Sequence, residues 1–287
     1  MTVEVREVGP VRRPDVADRG RGEQVLAWKP ALAGVSEVFH ARFVNYRYPP
    51  HVHDSWAVIV VDQGAIRYDL ERRSRGSDTS AISVLPPHVV HDGRAATFAG
   101  FTKRVAYLDT SVLPIELIGR GVDRSEITDD ALREALCGLH RSLCRGEEAL
   151  AGEERLVWIA RRIRRHLGEP AGAEEPPSRD DAAALRDFLA AHASEQVTLA
   201  TAGAALGRST GHLARSFRAA YALSPHAFVV GLRVEHARRL LLEGCPPARA
   251  ATESGFYDQA HLHRHFRRHT GTTPGRFAGG RAPSPGT

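Results

Sequence analysis

Shifting the sequence by 49 residues, from 212 to 261, lays one segment of the chain over another. His212-Leu213-x-Arg215-x-Phe217-Arg218 falls on His261-Leu262-x-Arg264-x-Phe266-Arg267. Ser209 falls on Asp258, and Pro225 and Phe228 fall on Pro274 and Phe277. Matches at this many fixed offsets mark an internal duplication, so the C-terminal part must build one structural unit twice.

Each copy reads as a short helix with two jobs. In the second copy Asp258 is a good N-cap. Leu262 and Phe266 lie one turn apart and form an apolar face. Gln259, His263, Arg264, Arg267 and Arg268 fall on or beside the opposite face. Each copy follows a shorter helix and a glycine-containing turn: Thr198 to Leu206 before Gly207, and Ala248 to Glu253 before Gly255. Helix, tight turn and helix make a helix-turn-helix, whose second helix suits a DNA major groove. Ala227 to Glu243 reads as one joining helix, stopped by Gly244 and Pro246-Pro247. At about 1.5 Å per residue it is roughly 25 Å long, enough to set two recognition helices about one DNA turn apart. Charge points the same way. Residues 180 to 287 hold thirteen arginines against eight acids, an excess of five that equals the net charge of the whole chain. A localised basic excess is the footprint of a polyanion partner.

Residues 180 to 280 resemble the DNA-binding domain of the AraC/XylS family of transcription regulators. The resemblance is carried by Ala205-Leu-Gly-Arg-Ser-Thr-Gly-His-Leu-Ala-Arg-Ser-Phe-Arg218, Leu232 to Leu241, Ser254-Gly-Phe-Tyr-Asp-Gln-Ala-His-Leu-His-Arg-His-Phe-Arg-Arg268 and Gly271 to Phe277. It implies base-facing positions at Gly211, Ala214 and Arg215 in the first copy. In the second copy it implies Ala260, His263 and Arg264, with Gln259 at the helix start. Gly211 and Ala214 offer little to read, so sequence discrimination is expected to rest on the second copy. Ser209, Thr210, Arg218, Arg267 and Arg268 are expected to hold phosphates. His261, His263, His265 and His269 are scattered by helical spacing and read as surface histidines rather than as a metal site.

The rest of the chain divides by pattern. Residues 1–22 read as a disordered arm. Residues 23–112 read as short strands: Phe39 to Val44, Trp56 to Val61, Ile66 to Leu70, Asp78 to Leu85 and Phe101 to Leu108, with a turn at Asp62-Gln-Gly64. This spacing suggests a β-barrel or double-sheet sandwich. Residues 126–167 switch to helical period. Leu132, Leu136, Leu139 and Leu143 form one stripe. Leu156, Ile159, Ile163 and Leu167 form another, with breaks expected near Gly146 and Gly152. The stripes can pack on each other, on the barrel or on a second subunit, and this hairpin is the candidate homodimer surface. Residues 168–179 are Pro-rich and charged and read as a linker. The expected fold class is therefore α+β: an N-terminal cupin-like β-barrel, a helical hairpin linker, and a C-terminal all-α domain with two helix-turn-helix motifs.

In the β region, His51 and His53 share a strand face, and His91 can join them from a neighbouring strand. Together with the barrel this resembles the cupin fold and the sensor half of many AraC/XylS regulators. Metal-binding cupins add a carboxylate about four residues after the second histidine; here that region is Ala57-Val58. The favoured reading is an effector pocket lined by His51, His53, Trp56 and His91, with no metal and no cofactor. The alternative is a cupin-type metal-dependent enzyme with a helical interaction module. No nucleotide-binding loop or hydrolase elbow is present, and no catalytic residues are expected. Cys137, Cys144 and Cys245 are too few and too spread for a disulfide framework. No apolar stretch reaches the roughly 18–20 residues of a membrane span, and the N-terminus lacks a signal-peptide core. The chain is thus expected to be a cytoplasmic regulator, an activator by resemblance, not an enzyme. Its partners are double-stranded DNA, a small-molecule effector and, by resemblance, RNA polymerase, with no membrane.

Overall fold

The computed structural model describes residues 23–71, 73–145, 148–169 and 175–278. The expected arm 1–22, the centre of the linker and the tail beyond residue 278 lie outside them. The chain divides into two units, one of residues 1–147 and 155–173, the other of 148–154 and 174–287.

In the first unit two antiparallel sheets are built from ten strands among the described residues: β1 Gln24–Trp28, β2 Val35–Phe43, β3 Arg47–His51, β4 Trp56–Gly64, β5 Ile66–Leu70, β6 Arg73–Ser77, β7 Ile82–Leu85, β8 His91–Ala95, β9 Phe101–Leu108 and β10 Glu126–Ile127. Their order is β1-β2-β9-β4-β7-β10 in the larger sheet and β3-β8-β5-β6 in the smaller. β4 is buried at six consecutive positions, which means that both faces of its sheet are covered. One face carries Ala57, Ile59 and Val105, which pack with Tyr68 of the smaller sheet in the sheet-sheet interior. The other carries Trp56, Val58 and Val60, toward helices.

Those helices are α1 (Ile118–Asp123), α2 (Asp130–Arg145) and α3 (Ala149–His166). Leu132, Leu136 and Leu139 of α2 and Leu156, Ile159 and Ile163 of α3 share one core with Trp56, Val58 and Val60. The apolar stripes thus pack against the larger sheet, one of the partners that the pattern allowed. The break expected at Gly152 is corrected, because α3 runs through it. One glycine costs a helix about 1 kcal/mol, less than the burial of Leu150 and Leu156 on either side contributes.

The second unit is helical: α4 (Arg179–Ala191), α5 (Leu199–Leu206), α6 (Thr210–Tyr221), α7 (Pro225–Leu242), α8 (Pro247–Glu253), α9 (Gln259–Thr270) and α10 (Pro274–Ala278). The caps explain the boundaries. Ser178, Thr198, Ser209, Ser224 and Asp258 each accept a backbone N–H three residues on. Gly207, at φ 65°, ends α5 in the left-handed region and makes the tight turn into α6. Gly203 is needed for another reason: a Cβ there would lie 2.7 Å from the Arg208 carbonyl oxygen. Two separate cores follow. One holds Leu185, Leu199, Leu213 and Phe217, the other Val234, Ala250, Leu262 and Phe266. The duplicated Leu and Phe are fully buried in both copies.

Candidate functional site

In the second unit, α6 and α9 each bury one side and present the other. On α9 the exposed residues are Gln259, Ala260, His263, Arg264, Arg267, Arg268 and His269. Gln259, Ala260, His263 and Arg264 line one shallow surface depression. The order of donors along the helix, an amide, an imidazole and a guanidinium, suits base edges.

The first copy differs. Ala214 is half-buried against the core, so it does not stand free on the outer face as expected. Arg215 is half-buried as well, and its Nη2 donates to the Glu175 carbonyl oxygen at 3.3 Å. Gly211 and Thr210 are half-buried, whereas Ser209 and Arg218 are exposed. The hydroxyl of Ser209 already caps α6 through the His212 N–H.

The surface reading of the histidine string needs correction. His263 and His269 are exposed, but His261 and His265 are half-buried. They lie one turn apart and pack on Phe256 with ring centroids at 5.3 and 5.9 Å. Burial holds the His265 pKa down at about 4. The duplication gives this inward pairing a logic that the spacing alone did not reveal. His212 Nε2 of the first copy donates to the Asp181 carboxylate at 2.7 Å, and His261 of the second lies 3.7 Å from Glu148. Each copy thus ties its inner histidine to a carboxylate from an upstream segment.

Glu148 belongs to a buried group that sequence reasoning missed. Its carboxylate accepts from Arg233 and lies 2.8 Å from His226 Nε2. Although burial pushes its pKa up, the hydrogen bond from His226 and the Arg233 charge hold it below the usual range. The neighbouring Glu153 accepts from the Leu199 and Ala200 N–H groups, and Glu154 from His226 N–H at 2.6 Å. Two acids from residues 148–154, Glu153 and Glu154, therefore sit on the N-terminal ends of α5 and α7, where the helix dipole favours negative charge.

In the first unit the structure brings His51, His53 and His91 together. Their ring centroids are 4.5–4.8 Å apart. His51 and His91 are register partners on β3 and β8. His53 is held by its carbonyl oxygen, which accepts the His88 N–H at 2.8 Å. Its ring packs on Tyr107 at 5.0 Å. Burial drives the His53 pKa down to about 3 and lowers that of His91. Nearby, Lys103 is buried with its ammonium 4.3 Å from the Tyr48 ring centroid, and burial lowers its pKa to about 8. Trp56 is not part of this group. It lies on the opposite face of β4, against the helices, because a strand alternates faces and only Ala57, Ile59 and Val61 share the inner one.

A two-sheet unit with a histidine cluster and a double helix-turn-helix unit on one chain fit a DNA-binding transcription regulator with a sensor domain. Residues 33–160 match the model of the AraC-like ligand-binding domain, and residues 203–279 match that of a helix-turn-helix domain. The HTH-type transcriptional regulator YbfI of Bacillus subtilis (strain 168) is 24% identical over 236 residues, covering 79% of this chain and 85% of that protein. Among solved structures, the C-terminal domain of AraT, a response regulator from Geobacillus stearothermophilus, is 24% identical over 37% of this chain and 90% of its own, with a TM-score of 0.34. The DNA-binding domain of AdpA, the global transcriptional factor, in complex with a target DNA, is 28% identical over 34% of this chain and 90% of its own, with a TM-score of 0.32. The chain belongs to the AraC family of transcription regulators.

Proposed function

We propose that this chain is an effector-responsive activator that places α6 and α9 in successive major grooves of double-stranded DNA in the cytoplasm. What supports this reading is the repeated helix with a buried Leu-Phe pair, which exposes Arg264, Arg267 and Arg268 in the second copy and Arg218 in the first. α7, of 18 residues, joins the two copies; at about 1.5 Å per residue it is roughly 27 Å long, close to the rise of one DNA turn. Gln259, Ala260, His263 and Arg264 face bases, and Arg267, Arg268, Arg218, Ser209 and Thr210 hold phosphates. Gly211 and Ala214 let the backbone of α6 approach its groove, and Arg215 joins the base-facing set on leaving Glu175. The effector binds at His51, His53 and His91, and activation through RNA polymerase follows the family resemblance. Effector binding acts only by favouring one conformational state over another.

Selection from a random duplex pool with the full chain tests the DNA-binding half of this reading. The expected result is enrichment of one bipartite sequence. Recovery of unrelated sequences, all bound with equal affinity, contradicts it.

A further inference from the structure

We infer that residues 175–178 form an acidic strap across α6 that holds the first helix-turn-helix back from DNA. This rests on reading α6 as a DNA-binding helix and adds its regulation.

The strap touches α6 and the turn before it at four points. The Glu175 carboxylate lies 3.6 Å from Arg208 Nη1 and 3.5 Å from His212 Nδ1. That nitrogen belongs to a buried ring and makes no hydrogen bond among the described residues. The Glu175 carbonyl oxygen accepts from Arg215 Nη2 at 3.3 Å. Three residues on, the Ser178 N–H donates to the Ser216 hydroxyl at 3.0 Å. His212, Arg215 and Ser216 follow at the three- and four-residue spacing of one helix side, and Arg208 continues that side into the turn.

Arg208 and His212 are also fixed from within. Asp181 accepts from Arg208 Nε at 3.1 Å and from His212 Nε2 at 2.7 Å. Its side chain is 16% exposed, against 54% for Glu175. Asp181 is thus the inner carboxylate that orients the pair, and Glu175 is the outer one. An outer acid beside a recognition helix acts in two ways. Its backbone holds Arg215, the residue expected to reach a base, and its charge repels the phosphates that α6 must approach. Exposed ion pairs contribute little to stability, so the strap lifts at small cost. Affinity for DNA then scales with the open fraction.

The second copy is built without this contact. Arg264, the counterpart of Arg215, is exposed and makes no ion pair or hydrogen bond among the described residues. Control is therefore confined to the first copy. The chain passes from the first unit to the second between residues 173 and 174. A change in the sensor that draws on this stretch reaches Glu175 before it reaches α4.

Equilibrium titration of the full chain on a selected duplex tests the strap. Glu175→Gln keeps the size of the side chain and removes its charge. It is expected to tighten binding by about 2- to 5-fold, what one exposed ion pair supplies. Asp180→Asn removes the same charge from the exposed first turn of α4, outside these contacts, and is expected to change affinity by less than about 1.5-fold. Equal tightening by both variants reduces the effect to net charge and overturns the inference, as does unchanged or weaker binding by Glu175→Gln. If the wild-type chain binds its duplex and Glu175→Gln makes no difference, the DNA-binding reading stands while the strap falls. Failure of all three proteins to bind any duplex takes down the reading itself, and the strap with it.

Discussion

Arg264 and Arg268 stand four residues apart on α9, and both are exposed. Their positions separate two tasks. Arg264 lines the depression with Gln259 and His263, whereas Arg268 lies in the last turn. Arg264→Ala is expected to relax preference at one base position, by about 1–3 kcal/mol, and Arg268→Ala to lower affinity for all sequences alike. Selection with both variants checks the contrast. A second prediction concerns Trp56, which is fully buried. A Cβ at Gly121 would lie 2.7 Å from Trp56 Cζ3, so Gly121→Ala is expected to destabilise the first unit by about 1–3 kcal/mol through overpacking. Urea unfolding of the two proteins measures this. At this scale the sequence was legible wherever a periodic pattern fixed direction: Leu213, Phe217, Leu262 and Phe266 all point inward. It misled at Trp56 because both faces of β4 are buried, and hydrophobicity then carries no record of which face a residue takes. His261 and His265 were misjudged for a related reason, since the carboxylate that draws His261 inward comes from Glu148, far away in sequence.

Among the elements, the contact of α2 with the larger sheet contains an imidazole pair. His140 is buried, and its Nδ1 lies 3.1 Å from His40 Nε2. Arg104, paired with Asp62 and with Cys137, lies beside them, and Trp28 packs on His40. Burial, with the Arg104 charge, holds His140 at about 3 and His40 at about 4. Both folded values lie below the unfolded value near 6.5, so the unfolded chain binds protons first. The stability they contribute is full above about pH 6.5 and is lost as pH falls toward the folded values. Each group accounts for about 1.4 kcal/mol per pH unit within that window. His140→Leu is expected to flatten the dependence between about pH 6.5 and 5, where ordinary carboxylates stay ionised. Denaturant midpoints at several pH values decide it. A second element-level prediction concerns Glu153, whose carboxylate meets the first N–H groups of α5. Glu153→Ala is expected to cost about 1 kcal/mol, the usual effect of losing a helix cap, read as a lower unfolding midpoint of the second unit. Strands differed in how visible they were. β9 has the predicted bounds, whereas β3 (Arg-Tyr-Pro-Pro-His) and β6 (Arg-Ser-Arg-Gly-Ser) gave no signal. Both are edge strands of the smaller sheet, where proline and charge are tolerated because one side lacks a ladder partner.

For the molecule as a whole, charge and duplication reside together. The basic excess of residues 180–287 lies on the part that holds both helix-turn-helix motifs. The expected start of that part near residue 180 was incomplete, because residues 148–154 fold with it. Glu148, Glu153 and Glu154 have no periodic partner in the sequence, and their contacts span 46 to 85 residues, so no local pattern announces them. Affinity for a selected duplex is expected to fall steeply with salt. If the three phosphate-holding arginines Arg218, Arg267 and Arg268 displace about three counterions, the log–log slope is about −3. The most direct measurement is a hydroxyl-radical footprint of the full chain on a selected duplex. Two helices in successive major grooves predict two protected windows about 10 base pairs apart on one face of the DNA. A single protected window, or two on opposite faces, contradicts the paired-helix account.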